Sequence, residues 1–138
     1  MSLISNECIL KLNHLVFDNI SFLRKEFKGD GKLNLQFATG FEKRENDEYV
    51  VHLRLFGTKE KEYDIDVSVS GFFNVVEGQF DAESIIHQNA VAIVFPYLRS
   101  EVTLLTSQPE VDPVVLPPLN IVQLVEQARH KEEKSNHG

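Results

Sequence analysis

Polar and apolar residues alternate with a period of two in four stretches of the first half of the chain. The clearest is 63–70, where Tyr63, Ile65, Val67 and Val69 are interleaved with aspartates and serines. Residues 8–22, 33–41 and 49–56 show shorter versions of the same pattern. Such alternation is typical of strands with one buried and one solvated face. The charged or glycine-containing links between them are mostly under ten residues, which predicts an antiparallel meander.

Residues 81–107 instead show helical spacing, with Asp81 as the predicted N-cap. Intervals of three and four predict an apolar stripe at Ile86, Ala90, Ile93, Val94, Tyr97, Leu98, Leu104 and Leu105. A second apolar edge carries Val91, Phe95 and Val102. Pro96 lacks a backbone N–H and predicts a kink near 92–96. This helix is predicted to act as a lid over the sheet.

The last part of the chain is predicted to be extended and then helical. Four prolines keep 108–119 extended, and Asn120 caps a short helix over 121–130. Residues 131–138 are polar and predicted to be disordered. The predicted fold is α+β, with a four-stranded antiparallel sheet and a long kinked helix and a short C-terminal helix on one face. Residues 1–130 form the single predicted domain.

Composition and charge narrow the classes of function. The chain has 138 residues and a formal net charge of −7, which opposes nucleic-acid binding because phosphate contacts need clustered Lys and Arg. No run approaches the roughly 20 apolar residues of a membrane helix, and no signal peptide is evident. The single cysteine, Cys8, fits a reducing compartment. A cytoplasmic protein that inserts into no membrane is therefore expected.

Little in the sequence indicates catalysis or metal binding. The five histidines lack partners at metal-ligand spacing, and Cys8 lacks an evident partner histidine. Asp64 and Asp66 share one strand face, which suits acid–base chemistry or a divalent ion, but a solvated face is the favoured interpretation. We expect no enzyme, no metal and no cofactor. A small-ligand or metal-binding protein stays open as a third hypothesis.

Apolar residues exceed what two helices can cover. The chain has ten phenylalanines and three tyrosines, and the sheet cannot easily enclose Phe41, Phe56, Phe72 and Phe73 together with the second helix edge. Exposed apolar surface of that extent usually marks a protein interface or a groove.

Five segments, spread over 12–127, resemble the SecB family of export chaperones. They are FDNISF at 17–22, EYVVHLRL at 48–55, VSGFFNV at 69–75, IVFPYLRSEVTLL at 93–105 and LPPLNIVQLV at 116–125. The F-P-Y-x-R helix is the most specific match. The resemblance implies a cytosolic, ATP-independent holdase that binds unfolded or precursor polypeptides in hydrophobic grooves.

The family resemblance also implies roles for particular residues. It implies a dimer of dimers whose assembly helix carries Ile93, Phe95, Pro96, Tyr97 and Arg99. It implies a client groove at Phe27, Tyr63, Ile65, Val67, Phe72 and Phe73. Docking of the export motor SecA would involve Asp66.

Departures from the family pattern leave an alternative open. Asn19 and Leu23 stand where the family has acidic residues, Phe27 replaces a tryptophan, and the acidic tail is missing. Relatives of SecB also guard the antitoxins of toxin–antitoxin systems. The alternative is a dedicated partner-binding module of the same fold without a general export role.

Overall fold

The structure, a computed structural model, describes residues 9–27, 31–77 and 83–117. In this part of the chain four strands precede one long helix. The elements are β1 (Ile9–Arg24), β2 (Leu33–Lys43), β3 (Glu48–Lys59), β4 (Tyr63–Glu77) and α1 (Glu83–Thr106). A 3-10 turn, Glu45–Asp47, joins β2 to β3. The predicted second helix, the tail, Cys8 and the Asp81 cap lie outside the described residues.

The four strands form one antiparallel sheet in the order β1-β4-β3-β2. The antiparallel α+β prediction is confirmed, but a simple meander is wrong because β1 pairs with β4 and not with β2. The link between β1 and β2 must cross the width of the sheet, about 14 Å for three strand spacings. Eight residues reach that far easily, so a short link did not require neighbouring strands.

Strands β3 and β4 form the centre of the core. Tyr63, Ile65, Val67 and Val69 are at most 3% exposed, as their alternation predicts. Both strands run beyond their predicted ends, to Lys59 and Glu77. They continue because neighbouring strands pair with them: Gly71, predicted to end β4, is partnered by Leu15 and Val51.

The side of α1 that faces the sheet agrees with the prediction in part, since Ile86, Ala90, Val94 and Leu98 of the predicted stripe are buried. Val91, Val94, Phe95, Leu98 and Val102 are 0–4% exposed and pack on the sheet. Three residues of the predicted stripe point outward instead: Ile93, Tyr97 and Leu104 are 37%, 47% and 67% exposed. The helix is apolar on two adjacent edges, so three- and four-residue spacing fits either one. Close approach at Gly71, where a Cβ would lie 2.6 Å from Val94 Cγ2, fixes Val94 inward.

Pro96 lies inside α1 on its exposed side. The Ala92 carbonyl that loses its helical partner there can bond to water. The helix runs from Glu83 to Thr106 through this proline; the kink stays a prediction.

The segment that follows α1, residues 107–117, folds back along the helix. Thr106 Oγ1 accepts a hydrogen bond from Val114 N (2.8 Å) and donates one to Val102 O (2.8 Å). Thr103 Oγ1 donates to Val114 O at 2.8 Å. Two threonines of the last helical turns therefore clamp this segment, called the strap below, against α1.

Candidate functional site

Strand β2 carries a row of apolar side chains that is only partly covered by the described part of the chain. On the helix side of the sheet the rows of β3 and β4 are buried, but the row of β2 is only half-buried. This row, called the β2 row below, consists of Leu33, Leu35, Phe37 and Phe41. Helix α1 packs chiefly over β4 and β3, so the β2 row lies at the rim of the core.

Two aromatic contacts connect α1 to the β2 row. The Phe95 ring meets Phe37 edge-on, with centroids 6.3 Å apart, and His87 stacks on Phe41 at 4.7 Å. His87 Nε2 also lies 3.1 Å from Thr39 Oγ1. These contacts hold α1 against one side of the β2 row.

Strand β2 is regularly paired with β3 and is uncharged from Leu33 to Phe41. In the described part of the chain β2 has β3 on one side and no strand on the other. All eleven of its residues pair with β3 without a register shift, and no residue of 33–41 is charged. By contrast β1, the other edge strand, has three register shifts. Unprotected edges of this kind are templates for an added strand.

A second apolar surface lies on the outside of α1. Its residues, called the outer ridge below, are Ile93, Tyr97, Leu104 and Val115, which are 37–69% exposed. A cavity of about 520 Å³ lies between α1 and the strap, lined by Pro96, Arg99, Ser100, Thr103, Leu104, Ser107 and Val115. Clustered exposed apolar side chains of this kind are a common sign of a protein contact.

The other side of the sheet, which α1 does not cover and which we call the open side, carries several charged side chains that are paired within the chain. Arg54 donates two hydrogen bonds to the Asp66 carboxylate, at 3.0 and 2.8 Å, and lies over the Phe56 ring at 4.0 Å. Asp64 accepts from Thr58 at 2.7 Å and pairs with Lys25 at 2.9 Å.

These contacts lower the pKa values of both aspartates. The pKa of Asp66 lies below its ordinary value chiefly because Arg54 hydrogen-bonds its carboxylate. The pKa of Asp64 is lowered mainly by the hydrogen bond from Lys25 and then by that from Thr58. Each carboxylate is therefore ionised and already partnered, and the two do not act as a free acidic pair.

The predicted client residues fall on three different surfaces. Tyr63, Ile65, Val67 and Phe73 are 0–3% exposed beneath α1. In this conformation they have almost no surface to offer a partner. Their role in client binding stays a prediction that would require α1 to move.

Phe72 and Phe27 lie apart from that group. Phe72 is on the open side, with the Arg44 guanidinium 5.3 Å from its ring centroid and His14 edge-on at 6.3 Å. Phe27 is 66% exposed beside a cleft of about 250 Å³ that it shares with Glu62, Glu110, Val111 and Asp112. The structure does not bring these two aromatic residues together into one groove.

The predicted assembly residues divide between core and surface. Ile93, Pro96 and Tyr97 are exposed, Arg99 is half-buried, and Phe95 is 4% exposed in the core. Across 9–27, 31–77 and 83–117 no group of three His, Cys, Asp or Glu side chains is arranged to hold a metal ion. In the same part of the chain no helix is long and apolar enough to cross a membrane.

Sequence reasoning missed the β2 row. The available signal was an uncharged run of nine residues, 33–41, with regular alternation. That run identified a strand but not an edge strand, because edge position depends on the strand order.

In the part of the chain that the structure describes, an antiparallel sheet carries one long helix on one side and has no further strand beside β2; an exposed sheet edge can accept an added strand. Comparisons with known proteins give the family. The family model described as Preprotein translocase subunit SecB matches residues 15–132, so this chain belongs to the SecB family. Members of that family are chaperones and not enzymes.

The chain is also similar to individual proteins. The chain is 26% identical to the uncharacterized protein MJ0357 of Methanocaldococcus jannaschii, over 94% of this chain and 90% of the relative. Its fold is similar to the Mycobacterium tuberculosis SecB-like chaperone Rv1957, solved in complex with a ChAD peptide from the HigA1 antitoxin Rv1956. That match has a TM-score of 0.62 and 15% identity, and covers 80% of this chain and 88% of the other.

A second structure shares the fold. It is a protein of unknown function from Streptococcus agalactiae, with a TM-score of 0.57 and 12% identity, covering 81% of this chain and 99% of the other. At these identities the two solved structures support the fold alone.

Proposed function

We propose that this protein is an ATP-independent chaperone that binds an extended segment of an unfolded polypeptide along β2. The observation that carries the proposal is the half-buried β2 row on a regularly paired strand that is uncharged over 33–41 and has no further strand beside it among the described residues. The two features together provide both kinds of contact that an extended chain can make, to its backbone and to alternate side chains.

The geometry of an added strand fits this surface. Alternate side chains of a strand recur every 6.6–6.8 Å or so, and so do Leu33, Leu35 and Phe37 on β2. A client strand in register would place every second side chain over the helix side of the sheet. Backbone hydrogen bonds carry no sequence code, so any client with apolar residues at alternate positions qualifies.

The expected affinity is moderate. Apolar burial contributes roughly 25 cal/mol per Å², and an unfolded segment loses about 1–2 kcal/mol of backbone entropy per residue that it orders. A short client segment therefore binds and dissociates by mass action. Release then needs no nucleotide hydrolysis.

A matched pair of variants tests the site. Leu35 lies in the β2 row, whereas its neighbour Gln36 is exposed on the open side of the same strand. Leu35→Asp should weaken binding of a chemically unfolded client about tenfold or more, because it places a charge in the apolar β2 row. Gln36→Asp adds the same charge to the same strand and should change the affinity little.

Affinities are measured by fluorescence anisotropy of a labelled unfolded client without ATP, with circular dichroism as the folding control. Equal affinities for the two variants would contradict the site. A client peptide N-methylated at alternate residues on its pairing edge should bind more weakly than its unmodified form. Equal binding of the two peptides would contradict strand addition.

We also propose that the outer ridge mediates self-assembly, as in the dimer of dimers implied by the family. Ile93 and Tyr97 expose apolar surface next to Pro96 and Arg99, which supports this. A tetramer of the 15.8 kDa chain would have a mass near 63 kDa by light scattering. Tyr97→Asp should reduce that mass, and a wild-type monomer would contradict the assembly.

A dedicated partner is the second candidate. The observation favouring it is the structural neighbour solved with an antitoxin peptide. Under this hypothesis one protein co-purifies at a fixed stoichiometry, and unrelated unfolded clients bind at least tenfold more weakly. Similar affinities across a panel of clients would favour the general holdase.

An export role in the cytoplasm with SecA docking rests on the family alone. Asp66, the residue proposed for docking, is held by Arg54. If SecA uses this carboxylate, Arg54→Ala should strengthen SecA binding and Asp66→Asn should abolish it. No change in either variant, measured by calorimetry, would remove Asp66 from the proposal.

A further inference from the structure

A chain of polar side chains crosses all four strands on the open side of the sheet. From one edge to the other it contains Glu42 on β2, His52 on β3, Ser70 on β4 and Asp18 on β1. His52 Nε2 lies 3.3 Å from Glu42 Oε1, and His52 Nδ1 lies 2.7 Å from Ser70 Oγ. Ser70 Oγ lies 2.5 Å from Asp18 Oδ2. Every strand supplies one member.

The β1 bulge makes the last contact possible. The register of β1 against β4 shifts between Phe17 and Asn19, so Asp18 is the extra residue. A bulge re-aims side chains relative to a regular ladder. Ser70, the central member, is 1% exposed, so water does not substitute for its partners.

The three contacts need three protons to be hydrogen bonds, but a neutral histidine, a serine and two carboxylates supply only two. Ser70 has one hydroxyl proton, a neutral imidazole has one N–H, and two carboxylates have none. If Ser70 donates to Asp18, His52 must donate from Nδ1, which leaves Nε2 facing Glu42 with no proton. If Nε2 donates to Glu42 instead, Ser70 must donate to Nδ1, which leaves Ser70 and Asp18 without a proton between them.

One additional proton satisfies all three contacts. With an imidazolium, His52 donates to both Ser70 and Glu42, and Ser70 donates to Asp18. We propose that Asp18, Ser70, His52 and Glu42 bind this additional proton as one hydrogen-bonded unit. Mild acidity then stabilises the association of the four strands. The proposal is independent of client binding.

The neighbouring charges act on this unit from several elements. Arg44, after β2, donates to Glu42 Oε1 at 3.1 Å and competes with His52 for that oxygen. Arg54 stands two residues along β3 and is paired with Asp66 of β4, and His14 of β1 lies against Phe72. The pKa of Glu42 is lowered, chiefly by its hydrogen bond with His52, consistent with a carboxylate facing a donor.

The sign of the pH dependence follows from the extra proton. Under the proposal the extra proton is bound by the folded protein, so its stabilisation is present at low pH and lost as pH rises. The loss begins above the pH at which a histidine of an unfolded chain titrates, about 6.5. Side chains of His52 and Glu42 are each 46% exposed, so solvent screening keeps the effect small.

The test measures the protonation of His52 after a substitution at Asp18, a residue that His52 does not contact. Nitrogen NMR of the full chain at pH 6 reports the fraction of His52 rings that carry both protons. Asp18→Asn should lower that fraction, roughly by half, because Asp18 acts through Ser70. Asp64→Asn is the matched control: it removes the same charge from the open side but lies outside the unit, and should leave the fraction nearly unchanged.

Equal decreases in the two variants would overturn the proposal, since they would reflect net charge alone. No decrease in Asp18→Asn would also overturn it. If Asp18→Asn does not fold, Ser70→Ala is compared with Ser68→Ala on the same strand face. The difference in unfolding midpoint between wild type and Ser70→Ala should decrease as pH rises from 6 to 8. The difference between wild type and Ser68→Ala should not change with pH in this way.

Discussion

The two sides of the sheet differ in how completely their side chains are packed or paired within the protein. On the open side, Asp64, Asp66 and Glu42 each have a cationic or hydrogen-bonding partner within the chain. On the helix side, α1 closes over β3 and β4 but leaves the β2 row half-buried. Binding capacity lies where contacts are incomplete, so the apolar rim is a better candidate for a client than the charged face.

The largest expected effect tests which edge of α1 forms the core. Leu98 is 0% exposed, whereas Leu104 is 67% exposed on the outer ridge. Leu98→Ala should lower the free energy of unfolding by about 2–5 kcal/mol, because it leaves a cavity. Leu104→Ala should change it by less than about 0.5 kcal/mol. Urea denaturation measures both, and similar losses would contradict the helix orientation.

The next effect tests the attachment of β2. A Cβ on Gly57 of β3 would collide with the Asn34 carbonyl oxygen of β2, while a Cβ on Gly40 would only contact the His52 side chain at 3.6 Å. Gly57→Ala should cost roughly 1–3 kcal/mol because the strands must separate. Gly40→Ala should lie within about 0.5 kcal/mol of wild type. A tolerated Gly57→Ala would show that β2 pairs differently with β3.

The smallest expected effect concerns the ion pair between Arg54 and Asp66 on the open side. The pKa of folded Asp66 is lowered from an unfolded value near 3.8. Its stabilisation by Arg54 is therefore present above pH 3.8 and lost as pH falls through the folded pKa. Asp66→Asn should be slightly less stable than wild type at pH 7, and the difference should disappear in acid. A difference that persists at pH 2 would exclude the ion pair as its cause.

How much the sequence predicts depends on whether a feature is local. The buried faces of β3 and β4 follow directly from alternation, as with Val67 and Val69. The orientation of α1 does not, because Tyr97 and Phe95 are both apolar and adjacent edges satisfy the same spacing. Val94, which packs at Gly71, belongs to the predicted stripe as well, so the choice between the edges depends on the packing of the whole helix on the sheet.

The candidate site depends on long-range arrangement to an even greater degree. Leu35 and Phe37 alternate as clearly as Ile65 and Val67 do, so pattern alone cannot say which pair is covered. The answer depends on the strand order β1-β4-β3-β2 and on where α1 crosses. The sequence of β1 likewise does not reveal the register shift that the structure shows between Phe17 and Asn19.

Amide hydrogen exchange with and without an unfolded client tests whether the client adds a strand to β2. If a client adds a strand to β2, alternate amides of Leu33–Lys43, those on its outer edge, should gain protection when the client binds. Amides of β4 should change little, since both its neighbours are already in place. Protection confined to the outer ridge or to β1, with β2 unchanged, would contradict the proposed site.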